Sequence, residues 1–194
     1  MRDGELRFWL RWMLASALAW GFAALLFWIL IDSILAFPLR LGSVAVGGAV
    51  LGLVLGTAQW LVLRSHVPGA GWWVAANVVA GALGLVVSDV LSHIGAVALL
   101  LGAVIGAAQW PVLRRWVGRA GWWVPANMVA WLAGRTTGWA VATLLSLTAS
   151  GLFDWGLSLF TGLVIGMALG GMLACAITGA ALVWLLRRGS HLSG

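Results

Sequence analysis

The chain has 194 residues, of which 63% are hydrophobic and 8% are charged, and its formal net charge at neutral pH is +6. A soluble domain carries about 25% charged residues and about 45–50% apolar ones, so this composition excludes an ordinary soluble surface and predicts an apolar surface that faces lipid. The positive charge comes from arginine alone. These arginines stand singly or in pairs beside apolar segments, which indicates membrane topology and argues against a nucleic-acid-binding surface.

Six apolar segments follow one another along the chain, each close to the ~20 residues that cross a hydrocarbon core about 30 Å thick. We predict that they form a single transmembrane domain over residues 1–188, followed by a disordered tail at 189–194. The fold class is therefore predicted to be all-α, a polytopic membrane helix bundle of six transmembrane helices. The predicted spans are about 8–31, 42–63, 72–91, 94–113, 122–147 and 157–186.

Arginines lie at alternate connections between these spans. All of them except Arg40 and Arg135 fall in the N-terminal segment, in the loops 64–71 and 114–121, or at the C-terminal end. Because basic loops stay on the cytoplasmic side, we expect both termini in the cytoplasm. The expected location is the bacterial inner membrane.

Two segments fifty residues apart, 52–81 and 102–131, are nearly identical. Fainter matches relate the last span to the first repeat and the first span to the second. The chain is therefore predicted to form three helical hairpins in a ring; the alternative is a two-copy duplication with unrelated end helices. The matched positions are Gln59 with Gln109, Trp60 with Trp110, Arg64 with Arg114, Trp72-Trp73 with Trp122-Trp123, and Asn77 with Asn127.

Glycines recur every four residues in the even-numbered spans, where each run makes a smooth helix face that another backbone can approach. We interpret these glycine zippers as packing surfaces. The alternative is a groove that admits a flat ligand such as a quinone, a carotenoid or a sterol-like lipid. The runs are Gly48, Gly52 and Gly56, then Gly102 and Gly106, then Gly162, Gly166 and Gly170.

Most of the tryptophans are predicted to form an anchoring belt at the cytoplasmic interface. Trp20 and Trp131 lie deeper in their spans and are candidates for lining a cavity. The predicted belt contains Trp60, Trp72, Trp73, Trp110, Trp116, Trp122, Trp123 and Trp184.

Four amides, Gln59, Asn77, Gln109 and Asn127, fall within about one to two turns of the same interface. Short loops make each glutamine span the antiparallel neighbour of an asparagine span, so we expect the amides to bond across each helix pair. The alternative is a polar cytoplasmic vestibule.

Arg135 is the most informative single residue, because it lies about 20 Å of helix rise from the start of its span. A centred arginine costs about 2.5–3.5 kcal/mol on insertion scales, so it needs a partner or water. The repeat-equivalent residues are Ala24 and Leu85, so the charge breaks the repeat. The hypotheses are pairing with a carboxylate, binding of an anionic ligand or transported ion, and contact with a partner subunit. The small polar neighbours Thr136 and Thr137 belong to the same candidate site.

Asp32, Asp89 and Asp154 occur once per predicted hairpin, near the extracytoplasmic turns. We interpret them as helix caps or turn residues. As a ring of carboxylates they would instead attract cations or pair with Arg135. The single cysteine, Cys175, excludes an internal disulfide, and we expect no metal site.

The pattern Gly-x-x-x-Gly-x-x-Gln-Trp-x-x-Leu-Arg, followed by Gly-Trp-Trp-x-x-Ala-Asn, resembles small uncharacterised bacterial membrane proteins with repeated Gln-Trp-x-x-Leu-Arg segments. The resemblance covers about residues 48–131 and implies no activity. Hydrolase motifs such as Gly-x-Ser-x-Gly and His-Glu-x-x-His are missing from the sequence, and we do not expect an enzyme. The leading hypothesis is a subunit or binding module that packs with lipid, a hydrophobic cofactor or partner membrane proteins, or with copies of itself. The alternative is a small transporter or channel with Arg135 on the path.

Overall fold

The computed structural model describes residues 3–35, 40–91, 96–149, 151 and 154–189. This part of the chain is all-helical, as predicted, and contains no strand. Of the predicted tail at 189–194, Gly189 is instead the last residue of the final helix. Residues 190–194 lie outside the described residues. The helices are α1 (Asp3–Leu35), α2 (Arg40–Leu63), α3 (Trp72–Val90), α4 (Val97–Leu113), α5 (Trp123–Ala149) and α6 (Trp155–Gly189), with a short 3₁₀ turn at Ala120–Trp122 before α5.

Among the described residues, three helices are long and apolar enough to cross a membrane: Leu41–Leu63, Trp72–Val90 and Trp155–Arg187. The apolar helix α4 is shorter. Large apolar side chains lie on the outside of the molecule; on α1 the exposed residues Leu10, Leu14 and Leu18 follow at four-residue spacing. The outward apolar surface and the three span-length helices identify the class as a membrane protein.

The helices pack in a ring, since each contacts its neighbours along the chain and α6 contacts α1. Glycines make the closest of these contacts. A methyl group added at Gly102 on α4 would lie 2.5 Å from the carbonyl oxygen of Asn127 on α5. On α5 and α6, a methyl group at Gly134 would lie 2.6 Å from the carbonyl oxygen of Gly170. The glycine runs therefore lie at helix contacts, as predicted from their spacing.

One end of the ring holds the hydrophobic core. Its buried residues come from the ends of α2, α4 and α6, from the start of α1 and from the two short connections after α2 and α4. Glu5 near the start of α1 pairs with Arg187 near the end of α6. On the same end, the ring of Phe8 packs edge-on against His66, with 4.7 Å between their centroids. The start of α1, the end of α6 and the first short connection thus lie at one end of the ring, which we call the floor end.

Candidate functional site

The helix ring encloses a cavity of about 480 Å³ to which all six helices contribute side chains. Its lining on α5 runs from Trp123 to Ala142, which is about 28 Å of helix rise. Trp139 lines the cavity and is 57% exposed, so the cavity is open at that level. At the opposite limit it ends on the buried side chains of the floor end. A volume in the range of about 300–1,000 Å³ is typical of small-molecule sites.

Three buried tryptophans, Trp12, Trp73 and Trp123, each at most 1% exposed, lie at the floor end. Trp12 and Trp123 line the cavity, and we call the three together the floor. Trp73 stands between the other two, with centroid distances of 5.9 Å to Trp12 and 5.7 Å to Trp123. Tilted and edge-to-face contacts of this kind are the favourable arrangements for aromatic rings. The prediction that Trp73 and Trp123 belong to an anchoring belt is therefore wrong. Their preceding neighbours Trp72 and Trp122 are 67% and 62% exposed, because consecutive residues on a helix point in different directions.

Each floor indole donates a hydrogen bond to a side chain on the neighbouring helix. Trp73 Nε1 donates to Gln59 Oε1 at 2.9 Å, and Trp123 Nε1 donates to Gln109 Oε1 at 2.8 Å. Both pairs are separated by the same fourteen residues. Trp12 Nε1 donates at 3.4 Å to the hydroxyl oxygen of Thr178 on α6, which takes the place of the glutamine.

The glutamine amide nitrogens then link neighbouring helix pairs. Gln109 Nε2 donates to Asn77 Oδ1 at 3.1 Å, and Gln59 Nε2 donates to the hydroxyl of Ser16 at 3.4 Å. We expected Gln59 to bond Asn77 and Gln109 to bond Asn127 within each pair; the structure instead joins Asn77 on α3 to Gln109 on α4. All four amides are at most 5% exposed, so they form a buried network.

Asn127 ends this network with its acceptor unused. Its amide nitrogen donates to the carbonyl oxygen of Trp123 at 2.9 Å. The equivalent bond from Asn77 to the carbonyl oxygen of Trp73 is 2.8 Å long. The bond to Trp123 orients the Asn127 side chain, because the reverse orientation would set two carbonyl oxygens against each other. Asn127 Oδ1 has no donor among the described residues, although Asn77 Oδ1 receives one. The Thr178 hydroxyl bonds backbone oxygens of its own helix.

This oxygen is not fully buried, because the fully buried polar atoms of the described side chains all have partners. Within the part of the chain that the structure describes, no fully buried side-chain nitrogen or oxygen lacks a partner. Asn127 lines the cavity and is 3% exposed overall. Its unpaired oxygen is therefore one of the few polar atoms that face the cavity.

The wall above the floor contains both aromatic side chains and glycines. Trp20 on α1 meets Trp131 on α5 edge-on with 5.4 Å between centroids, and both line the cavity as predicted. Gly134, Gly166 and Gly170 line the same space. The glycine runs thus serve in packing and also leave room for the cavity.

Arg135 lines the cavity two turns beyond Asn127, between Trp131 and Trp139 on the same helix stripe. Its guanidinium carbon lies 5.9 Å from the centroid of Trp139. No ion pair involves Arg135 among the described residues, so the predicted pairing with Asp154 or Asp89 is not made there. The cation is half-buried and faces the open part of the cavity.

The other predicted site residues lie apart from the cavity. Asp154 is exposed and caps α6 by accepting a hydrogen bond from the backbone of Leu157 at 3.0 Å. Thr136 is exposed and bonds carbonyl oxygens of its own helix, and Thr137 is not part of the lining. Asp89 is half-buried near the end of α3, and the side chain of Asp32 lies outside the described residues.

Sequence reasoning missed Trp12, Ser16, Thr178 and Cys175 as residues of the site. Cys175 lines the cavity beside Ser16 and Gln59. The fourteen-residue separation of each glutamine from the inner tryptophan was a signal for the first two pairs. No such spacing relates Trp12 to Thr178, which are 166 residues apart.

No family model matches the chain, and neither the curated proteins nor the solved structures contain a significant match to it.

Proposed function

We propose that this protein is a six-span membrane protein, built as a pseudo-threefold ring, that binds a small amphiphilic molecule in its central cavity. The observation that carries the proposal is the cavity of about 480 Å³, with aromatic and glycine walls and a few convergent polar groups. Apolar cavities with few oriented polar groups are the usual form of a small-molecule site. Activity on the bound molecule is not part of the proposal.

The pseudo-threefold arrangement is supported by three floor positions of the same kind. Trp12, Trp73 and Trp123 each donate to a side chain on the adjacent helix. The helix pairs are then α6 with α1, α2 with α3, and α4 with α5. With the floor end in the cytoplasm, the basic loops and both chain ends share one side, in agreement with the positive-inside rule. The bacterial inner membrane is the proposed location.

The size of the cavity limits the occupant. A volume of about 480 Å³ lies within the range of about 300–1,000 Å³ of sites that bind drug-sized ligands. A single-chain amphiphile belongs to that size class, whereas a two-chain lipid or a carotenoid is larger. Arg135 and Asn127 give the site two polar ends.

Copurification tests the proposal. The protein is extracted in mild detergent, and the bound molecules are identified by mass spectrometry after organic extraction. The control is a variant with Met167→Trp, which enlarges a side chain that lines the cavity. We expect a defined single-chain molecule near one equivalent with the wild type and its loss with the variant. If the extract contains only bulk lipid in the same proportions for both proteins, the proposal is wrong.

The second candidate function is transport, which Arg135 favours, because it lines the open cavity and forms no ion pair with the described residues. The floor argues against a continuous path, since its three tryptophans are at most 1% exposed. Flux of anions into proteoliposomes, compared between wild type and Arg135→Ala, decides between the two functions. Flux that depends on Arg135 would favour transport over binding.

A further inference from the structure

The network of buried amides contains one open position, and its location defines one end of the ligand. Gln109 donates a hydrogen bond to Asn77 Oδ1. Thr178 stands on α6 where a third glutamine would donate to Asn127 Oδ1, and its hydroxyl instead bonds its own helix. Asn127 Oδ1, on a side chain that is 3% exposed, therefore offers an acceptor to whatever occupies the cavity. A ligand without a donor leaves this oxygen without either water or a partner, which is unfavourable.

Arg135 defines the other end. It is eight residues from Asn127 on the same helix, so the two residues are separated by about 12 Å along the helix axis. No carboxylate among the described residues neutralises it. A cation at this depth of a span gains from an anionic partner that shares its low-dielectric surroundings.

The space between the two ends suits an apolar chain. Trp20 and Trp131 line it, together with Gly134, Gly138 and Gly170. These side chains offer no further charged group. The polar contacts of a ligand are therefore confined to its two ends.

We infer that the ligand class is a single-chain acid that carries a hydrogen-bond donor, such as a hydroxyl, at the end opposite its anionic group. The donor binds Asn127 Oδ1, and the anion binds the guanidinium of Arg135. This inference rests on the proposed binding function and specifies its chemistry. An ω-hydroxy fatty acid of about ten carbons spans the separation of about 12 Å.

Calorimetric titration of the full-length protein in mild detergent tests both ends independently. The three probes are the ω-hydroxy fatty acid, the unsubstituted fatty acid of equal length, and the corresponding diol. With the wild type, removal of the hydroxyl or of the carboxylate should each weaken binding by roughly tenfold or more. Equal affinities for all three probes would overturn the inference.

Matched variants assign each preference to one residue. Asn127→Leu should abolish the preference for the hydroxyl and retain the preference for the carboxylate, whereas Arg135→Gln should do the reverse. Thr178→Gln keeps Asn127 and supplies the missing donor, so it should also abolish the hydroxyl preference even if Asn127→Leu fails to fold. A hydroxyl preference that persists in Thr178→Gln and Asn127→Leu would contradict the role of Asn127.

The outcome also separates this inference from the proposed function. A copurified molecule together with indiscriminate binding of the probes leaves the binding function standing and rejects the ligand class. No copurified molecule and no probe binding reject both. A copurified two-chain lipid would identify the membrane, rather than a free acid, as the source of the anion and would overturn the single-chain assignment.

Discussion

The close approach of α4 and α5 at Gly102 predicts a large effect of one methyl group. In Gly102→Ala, the new methyl carbon would lie 2.5 Å from both the Asn127 carbonyl oxygen and the Met128 Cα. These distances fall about 1 Å short of the ~3.5 Å of an ordinary contact, and both neighbours are backbone atoms that cannot rotate away. The helices must therefore separate, and overpacking of this kind costs about 1–3 kcal/mol.

Gly21→Ala is the matched control. A methyl group at Gly21 meets only Ala168 Cβ, at 4.0 Å, which is an ordinary contact. Both substitutions gain the higher helix propensity of alanine, which is worth up to about 1 kcal/mol. The difference between the two variants therefore isolates the packing cost.

Unfolding in mixed micelles with increasing SDS, followed by the loss of helical circular dichroism, measures that difference. We expect Gly102→Ala to be about 1–3 kcal/mol less stable than Gly21→Ala. Because Asn127 moves with α5, Gly102→Ala should also weaken the binding of the hydroxy acid. Equal stability of the two variants would refute the close approach of the two helices.

Three further predictions follow from the network, the ring and the cation. Gln109→Leu should destabilise the protein by about 1–3 kcal/mol in the same unfolding assay, because an amide oxygen and an indole N–H lose their partners. The control is Thr136→Val, at an exposed hydroxyl, which should change stability by less than about 0.5 kcal/mol. Similar losses of stability in both variants would contradict the network. The pair Gly21→Cys and Ala168→Cys, in a background without the native cysteine, should form a disulfide under mild oxidation. The reason is that a Cβ at Gly21 would lie 4.0 Å from that of Ala168. If mass spectrometry of tryptic fragments shows no cross-link, α1 does not pack against α6. Arg135→Leu should leave stability unchanged or raise it while it abolishes binding of the acid, since an unpaired cation is unfavourable in a span; a loss of stability of more than about 1 kcal/mol would instead indicate a structural ion pair.

The helices could be predicted from the sequence because composition and span length set them almost alone. The predicted segment 42–63 became Arg40–Leu63, and 72–91 became Trp72–Val90. The largest differences are at the two ends of the first helix, which was predicted over about 8–31 and runs from Asp3 to Leu35. Polar and charged residues there remain helical because propensity, rather than lipid, decides their conformation.

The partners of the amides could not be predicted, because each helix has two neighbours in the ring. Gln109 and Asn127 were predicted to bond each other because they lie at similar depth. In the structure, the oxygen of Gln109 accepts a hydrogen bond from the Trp123 indole. The amide nitrogen then turns to Asn77 on the other neighbouring helix. Sequence periodicity indicates the depth of a residue in its span and the helix face on which it lies. Which of two neighbouring helices supplies its hydrogen-bond partner depends on the three-dimensional packing.

The third floor position escaped prediction for a different reason. Aligning Trp184 with Trp60 sets Val183 opposite the glutamines, yet the Trp12 indole bonds Thr178, five residues earlier. The last helix therefore resembles the others in its packing and hydrogen bonding rather than in its amino-acid sequence. The open acceptor at Asn127 is a consequence of this replacement.

The seam between α1 and α6 has a consequence for biosynthesis. Trp12 enters the membrane long before its acceptor Thr178, which follows 166 residues later. Until then α1 has an unsatisfied indole N–H, while α2 and α4 each present a glutamine and a glycine face like the surface it awaits. The duplicated helices can therefore compete for the same partners. Correct assembly requires that Trp73 and Trp123 each bond the glutamine fourteen residues earlier in the chain, so that Trp12 is left for Thr178. The short connections after α2 and α4 favour that order, because neighbours joined by a few residues meet faster than helices separated by the whole chain.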